Sequence, residues 1–112
     1  MEFLITQLEN VTIISPVGSI DALTAEECAR SFNELMSQGK LCLVADLSQV
    51  DFMSSAGLRL LLQFAKTTRQ QGGDVRLAGA SPEVGKILLI SGLTTILKVF
   101  SSVDQAVGSY AG

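Results

Sequence analysis

The chain has 112 residues, of which 47% are hydrophobic and 17% charged, with a formal net charge of −3. This length and composition predict one compact domain spanning residues 1–112, with a single hydrophobic core. The acidic balance disfavours nucleic acid as a partner, because that binding depends on clustered Lys and Arg, and the eight basic residues here form no run.

The chain contains no histidine, which excludes Ser-His-Asp and Cys-His catalysis and the usual histidine-containing zinc sites. We predict no metal and no cofactor. Cys28 and Cys42 are expected to be small packing residues. The N-terminal residues lack the basic start and apolar run of a signal peptide, and no stretch approaches the roughly 20 apolar residues that cross a bilayer. We therefore expect a cytoplasmic protein without membrane insertion.

The first predicted elements are a β-hairpin and a helix. Residues 3–8 have the pattern of an edge strand, and the β-branched residues 11–17 that of a buried strand. Their short Glu9-Asn10 connection predicts antiparallel pairing. The segment Thr24-Ala-Glu-Glu27 fits a capping box at the start of the first helix. One face of that helix is apolar at helical spacing: Cys28, Phe32, Leu35 and Met36.

The centre of the chain predicts a buried strand followed by a second helix. Residues 41–45 are almost purely apolar, as in a strand covered on both faces. The helix after Ser55 is expected to bury four residues, Leu58, Leu61, Leu62 and Ala65. Its solvent face would carry Arg59, Gln63, Lys66 and Gln70. Gly72-Gly73 ends this helix and carries no phosphate-loop pattern.

The C-terminal part predicts two further strands and two capped helices. A strand over residues 75–78 precedes a helix capped by Ser81, with Pro82 in its first position. A short strand over residues 98–100 precedes a helix capped by Ser102. The resulting order, β-β-α-β-α-β-α-β-α, predicts an α/β fold in which a mostly parallel mixed sheet, with an N-terminal antiparallel strand, packs against helices.

Two consecutive serines, Ser54 and Ser55, stand where a strand gives way to the second helix. The first N–H groups of a helix lack intrahelical partners and carry partial positive charge. A serine at this point can cap the helix. It can also carry a phosphate, because a helix N-terminus favours an anion.

At this point the chain resembles the STAS family, found in bacterial anti-sigma factor antagonists and in the tails of sulfate transporters. The resemblance rests on the loop Gly18-Ser-Ile-Asp21, the strand end Asp46-Leu-Ser, the motif Phe52-Met-Ser-Ser-Ala-Gly-Leu58 and the segment Ser91-Gly-Leu93. It covers nearly the whole chain and is closest to the free-standing antagonist type. It implies partner switching: the unphosphorylated antagonist binds an anti-sigma factor that is also a serine kinase, phosphorylation releases it, and a PP2C-type phosphatase resets the switch.

The resemblance also implies which residues form the site. The phosphorylated serine of the family matches Ser55, with Ser54 as an alternate, and the acid of the upstream loop matches Asp21. Two positions depart from the common antagonist motif, since Ser54 stands where Asp is frequent and Ala56 where a second Ser is frequent. The predicted partner-binding residues are Asp21, Ser54, Ser55, Ala56, Gly57 and Arg59. Because the loop after the second strand and the end of a parallel neighbour share one sheet edge, we expect Asp21 to orient the Ser55 hydroxyl or to contact the partner.

Each candidate residue also has a structural interpretation. Ser55 can be a helix cap and Asp21 a loop acid, while Gly57 can serve close helix–strand packing and Arg59 can be solvated. Asp46 and Asp51 are expected to end a strand and form a turn.

Two other functions stay open. The domain can be a STAS scaffold in another complex, such as a signalling assembly or a lipid-transport system, with Ser55 never modified. An enzyme using Ser55 as its nucleophile would need a base. Lys40 or Lys66 would then have to be buried beside Ser55, although both lie in polar surroundings, and we expect no enzyme.

Overall fold

The computed structural model describes residues 1–110, so residues 111 and 112 of the predicted domain lie outside the described range. Strands β1 to β6 cover Glu2–Leu8, Val11–Ile20, Cys42–Asp46, Val50–Met53, Asp74–Ala78 and Val99–Phe100. Helices α1 to α4 cover Ala22–Ser37, Ser55–Gln70, Pro82–Ile90 and Val103–Gly108, and a 3-10 turn covers Leu93–Thr95. The predicted α/β order is confirmed, and β4 is an addition that the sequence pattern did not predict.

The sheet is mostly parallel, in the order β1-β2-β3-β5-β6, and β4 pairs with the carboxyl-terminal part of β2. The β1–β2 hairpin is antiparallel, as predicted, and the other pairs are parallel. On the side of β2 opposite β1, two strands pair with it one after the other. β3 pairs with β2 as far as Ile14, and β4 pairs with it from Gly18 onward. Pro16 lies between the part of β2 that pairs with β3 and the part that pairs with β4. Proline has no backbone N–H to donate, and at this position neither pairing needs one.

Apolar side chains cover both faces of the sheet, because successive strand residues point to opposite sides. The larger cluster lies under α1, α2 and α3, and includes the stacked rings of Phe32 and Phe64, whose centroids are 5.0 Å apart. The smaller cluster lies under α4. The predicted inner face of α1 is confirmed for Cys28, Phe32 and Leu35, with Met36 half-buried. Burial raises the pKa of the Cys28 thiol to about 11, as suits a packing role.

The inner face of α2 differs from the predicted one. Leu61 and Ala65 are buried as expected, but Leu58 and Leu62 are only half-buried. The buried residues are Gly57, Leu60, Leu61, Phe64, Ala65 and Thr68. This set follows the i, i+3, i+4 spacing of one helix face, which is rotated toward Phe64, the large side chain that packs on α1. The predicted solvent face is exposed as expected.

A polar network fastens the C-terminal helix to the sheet. The buried carboxylate of Asp74 accepts from Nε of Arg69 at 2.8 Å and from Nε of Arg76 at 3.2 Å. The guanidinium of Arg76 lies 3.9 Å from the ring centroid of Tyr110. The Tyr110 hydroxyl is 2.7 Å from the carbonyl oxygen of Leu43 and 2.8 Å from that of Asp74. Within the described part of the chain, no helix is long and apolar enough to span a membrane.

Candidate phosphorylation and partner-binding site

Two parallel strand ends meet at the candidate site. Ile20, the last residue of β2, pairs with Met53, the last residue of β4. The N–H of Ser54 donates to the carbonyl of Ile20 at 2.8 Å. Asp21 follows one strand and the two serines follow the other, so all three lie on the same edge of the sheet.

The two serines have different environments. Ser54 is the N-cap of α2, with an extended backbone (φ −81°, ψ 173°), yet its side chain caps no N–H. Its Oγ is buried and has no hydrogen-bond partner among residues 1–110. Ser55 is the first residue of α2 and is exposed. The interpretation of Ser55 as the cap is therefore wrong: β4 ends at Met53, and the one extended residue before the helix is Ser54.

The start of α2 suits a negative charge. Neither a side-chain cap nor an acidic residue is present in its first turn, so the positive end of the helix dipole is uncompensated by side chains. Arg59 is exposed one turn beyond Ser55. Residues four apart lie on one helix face, and helical side chains lean toward the N-terminus. Arg59 therefore adds positive charge on the side of Ser55.

Gly57 sets how closely α2 approaches the sheet. A Cβ at this position would lie 2.7 Å from Cγ of Met53 and 2.9 Å from Cγ2 of Ile20. Real Cβ atoms essentially never come so close, and Gly57 is buried. Its contacts therefore support the packing interpretation of Gly57, and the partner-contact role stays a prediction. Ala56, which is half-buried, lies on the side of α2 that faces α1.

Asp21 caps α1. Its Oδ1 accepts from the N–H groups of Leu23 at 3.0 Å and Thr24 at 2.9 Å, and Oγ1 of Thr24 accepts from the N–H of Asp21 at 2.8 Å. The capping box therefore begins at Asp21, and its prediction at Thr24 was wrong by one helical turn. The hydrogen bonds from Thr24, and also from Leu23, lower the pKa of the exposed Asp21 carboxyl.

The orienting role expected for Asp21 finds no support in these contacts. Among the hydrogen bonds of residues 1–110, none joins Asp21 to Ser55, and the carboxylate is engaged by the start of its own helix. Contact with a partner stays a prediction for this exposed residue.

The two other acids differ from each other. Asp46 ends β3 as predicted, accepting from Oγ of Ser15 at 3.1 Å and from the N–H of Ser48 at 3.1 Å. Asp51 was expected in a turn, but it lies within β4 with its side chain exposed. The reason is that residues 50–53 pair with the end of β2, a long-range contact that overrides the local turn preference of Asp.

Two large apolar side chains are exposed on elements next to the serines, and the sequence pattern did not predict their exposure. Leu23 of α1 is 73% exposed and Phe52 of β4 is 51% exposed. An open groove of about 290 Å³ runs between α1 and α2 and has a mixed lining. Its α1 side is formed by Ala22, Ala25, Glu26 and Ala29, and its α2 side by Ala56, Arg59, Leu60 and Gln63. The site thus joins an exposed hydroxyl, a positive helix end and apolar surface, a combination suited to protein binding.

Neither lysine considered as a catalytic base lies at Ser55. Nζ of Lys40 is 3.1 Å from Oε1 of Gln7 on β1. Lys66 is exposed on α2, about 16 Å along the helix axis from Ser55 at 1.5 Å per residue.

The STAS domain model matches residues 2–106, and the chain belongs to the STAS domain family. Among its relatives, BtrV of Bordetella bronchiseptica, named as an anti-sigma factor antagonist, is 29% identical over 110 residues, which cover 98% of this chain and 95% of BtrV. RsfB of Mycobacterium tuberculosis, an anti-sigma-F factor antagonist, is 28% identical over 104 residues, which cover 91% of this chain and 83% of RsfB.

Solved structures share the fold. SpoIIAA of Bacillus, an anti-sigma factor antagonist, has a TM-score of 0.84 in its unphosphorylated form, with 20% identity and coverage of 99% of this chain and 97% of that one. Its phosphorylated form has a TM-score of 0.74, also with 20% identity, and coverage of 97% and 99%. At this identity the likeness establishes the fold alone.

Proposed function

We propose that this chain is an anti-sigma factor antagonist whose binding is switched by phosphate on Ser55. Unphosphorylated, it binds an anti-sigma factor that is also a serine kinase, and so controls transcription. Phosphorylation separates the two proteins, and a PP2C-type phosphatase restores the binding form. The observation that carries this proposal is the exposed Ser55 at the uncapped start of α2. Exposed apolar side chains on neighbouring elements, Leu23 of α1 and Phe52 of β4, support it.

The isolated domain should tolerate phosphate on Ser55. The phosphate adds about −1.5 to −2 charge at a helix end with no acidic residue in its first turn. A negative charge there gains about 0.3–1 kcal/mol at an exposed site, and Arg59 supplies a further positive charge. No buried contact of Ser55 has to be broken, so the fold should change little.

The complex should not tolerate the same phosphate. A partner that covers Leu23, Phe52 and the α1–α2 groove also covers Ser55, so the phosphate would lose water or displace partner atoms. Each 1.4 kcal/mol lost is a tenfold change in affinity. The phosphate on Ser55 would thus leave the fold of the domain unchanged but weaken its binding to the partner, which is what a binding switch requires.

Ser55 is the preferred acceptor of the two serines. The Oγ of Ser54 is buried, so a kinase would have to open the start of α2 to reach it, whereas Ser55 is exposed. We therefore assign the modification to Ser55, and Ser54 remains the alternate only if the helix start opens.

A pull-down from the native cell tests this proposal. Wild type, Ser55→Ala and Ser55→Asp serve as baits, and Gln70→Glu is the matched control because it adds one negative charge to the exposed far end of α2. Wild type and Gln70→Glu should capture an ATPase of the histidine-kinase type, and Ser55→Asp should not. Equal capture by all four baits, together with an unmodified Ser55 in the native chain, would refute the switch and favour the scaffold function.

A further inference from the structure

Strand β1 is an edge of the sheet, and no other strand within residues 1–110 pairs with its outer side. It is the first strand in the order β1-β2-β3-β5-β6, and all seven of its residues pair with β2 in a regular register without a bulge. Proteins usually protect such edges with Lys, Pro, a bulge or a short strand. β1 has only one charged residue, Glu2 at its beginning. By contrast, the outer strand β6 has two residues, and β4 has four and carries Asp51.

The register of the hairpin defines which backbone groups of β1 point outward. Leu8 and Val11 flank a two-residue turn, so they form a hydrogen-bonded pair, and such pairs alternate along the ladder. Leu4, Thr6 and Leu8 therefore bond to β2. The N–H and C=O groups of Phe3, Ile5 and Gln7 point away from the sheet, which leaves a row of donors and acceptors at its edge.

The side chains of β1 are also unusually apolar for an exposed strand. Leu4 is 57% exposed, Ile5 52% and Leu8 45%. Ile5 lies beside an open groove of about 260 Å³ between β1 and α1. A second strand placed against β1 would cover this apolar surface and pair the outward backbone groups at the same time.

We propose that β1 is a dimerisation edge, at which two copies of this chain pair their β1 strands antiparallel about a two-fold axis at Ile5. The outward groups lie at Phe3, Ile5 and Gln7, symmetrically about Ile5. An axis at Ile5 therefore pairs Ile5 with its equivalent and Phe3 with Gln7 of the second copy, giving about six inter-chain hydrogen bonds. An axis at any other residue leaves some of these groups unpaired, so the second copy is the occupant that fits this edge best.

The charges of β1 agree with self-pairing. In this register the two Glu2 side chains lie at opposite ends of the ladder, about 20 Å apart at 3.4 Å per residue. Leu4 faces Thr6 of the second copy, and no two like charges face each other along β1. Natural dimers commonly have such two-fold symmetry.

The dimer edge is separate from the Ser55 site. β1 lies on one side of β2, whereas β4, which leads into Ser54 and Ser55, lies on the other side. Dimerisation should therefore leave Ser55 exposed, and it does not depend on the function proposed above.

Sedimentation equilibrium of the full chain, from about 1 μM to about 1 mM, tests the state of association. Wild type should pass from monomer to dimer. Ile5→Lys should raise the dimer dissociation constant at least about tenfold, because it places two like charges opposite each other. Circular dichroism should confirm that this variant is folded, as expected when a half-exposed residue is replaced. A wild-type chain that stays monomeric, or an Ile5→Lys dimer of unchanged affinity, would overturn the proposal.

Disulfide cross-linking tests the register without adding charge. Hydrogen-bonded antiparallel partners have Cα atoms about 5.5 Å apart, which a disulfide can bridge. Ile5→Cys should therefore cross-link at least about tenfold faster than Thr6→Cys, whose equivalent residue lies out of register. Wild type, with Cys28 and Cys42, measures the background. Equal rates for the two variants would overturn the two-fold register.

Discussion

Gly57→Ala tests whether the position of α2, and with it Ser55, depends on close packing against β2 and β4. The new methyl group would lie 2.7 Å from Cγ of Met53 and 2.9 Å from Cγ2 of Ile20. Met53 is flexible and can turn away. Ile20 is β-branched and stiff, so the helix start itself has to move.

Two opposing effects determine the magnitude. Inserting a methylene into a packed core costs about 1–3 kcal/mol, whereas replacing Gly by Ala inside a helix gains about 1 kcal/mol. The expected net result is a free energy of unfolding lower by about 0–2 kcal/mol. At about 4 °C per kcal/mol for a domain of this size, the melting temperature should fall by up to about 8 °C.

The matched control is Gly85→Ala in α3. Gly85 also lies within a helix, but a Cβ there would have no neighbour within 4 Å among residues 1–110, apart from its chain neighbours and its own helix backbone. The helix-propensity gain should therefore appear alone and stabilise the protein. Urea unfolding followed by circular dichroism measures all three proteins. If Gly57→Ala stabilises the protein as much as Gly85→Ala does, the close-packing explanation is refuted.

Three further predictions concern the polar groups around the sheet. Ser54→Ala should not lower the unfolding free energy, because its buried Oγ has no hydrogen bond to lose among residues 1–110 and an unpaired buried hydroxyl is itself unfavourable. Ser81→Ala, whose Oγ accepts from the N–H of Val84, should cost about 1 kcal/mol in urea titrations. Equal costs would contradict the assigned caps. Tyr110→Phe removes the single hydroxyl hydrogen that the carbonyls of Leu43 and Asp74 share, and it should cost about 1–3 kcal/mol in the same assay. An unchanged free energy of unfolding would show that this hydroxyl does not stabilise the fold. The folded-state pKa of Asp21 is depressed, so its stabilising contribution is present above the unfolded-state pKa and is lost as the pH falls through the folded-state pKa. Asp21→Asn should therefore show a smaller loss of thermal stability on acidification below about pH 4, and identical pH profiles would argue against the carboxylate cap.

The sequence predicts a helix start correctly where the capping residues lie next to that helix in the chain. Ser81 with Pro82, and Ser102, mark the starts of α3 and α4, and both serines accept capping hydrogen bonds as predicted. The start of α1 was predicted one turn too late because two possible capping boxes overlap in the sequence, one beginning at Asp21 and one at Thr24. Asp21 takes the cap because β2 extends to Ile20, and strand length depends on pairing with β4.

The structural features that the sequence pattern did not predict depend on contacts between residues far apart in the chain. β4 has four residues and is held by pairing with β2, a contact that its own sequence does not reveal. For the same reason the pattern Ser54-Ser55 did not show which of the two hydroxyl groups is buried, because that depends on where β4 ends. The exposure of Leu23 and Phe52 was also hidden, since apolar residues are buried more often than not.

The affinity of the purified chain for its purified anti-sigma factor, measured by calorimetry with Ser55 free and with Ser55 phosphorylated, tests the central claim most directly. We expect the phosphate to weaken binding at least about 100-fold, equivalent to about 2.7 kcal/mol, while the melting temperature of the isolated domain stays nearly unchanged. Equal affinities of the two forms would contradict the account.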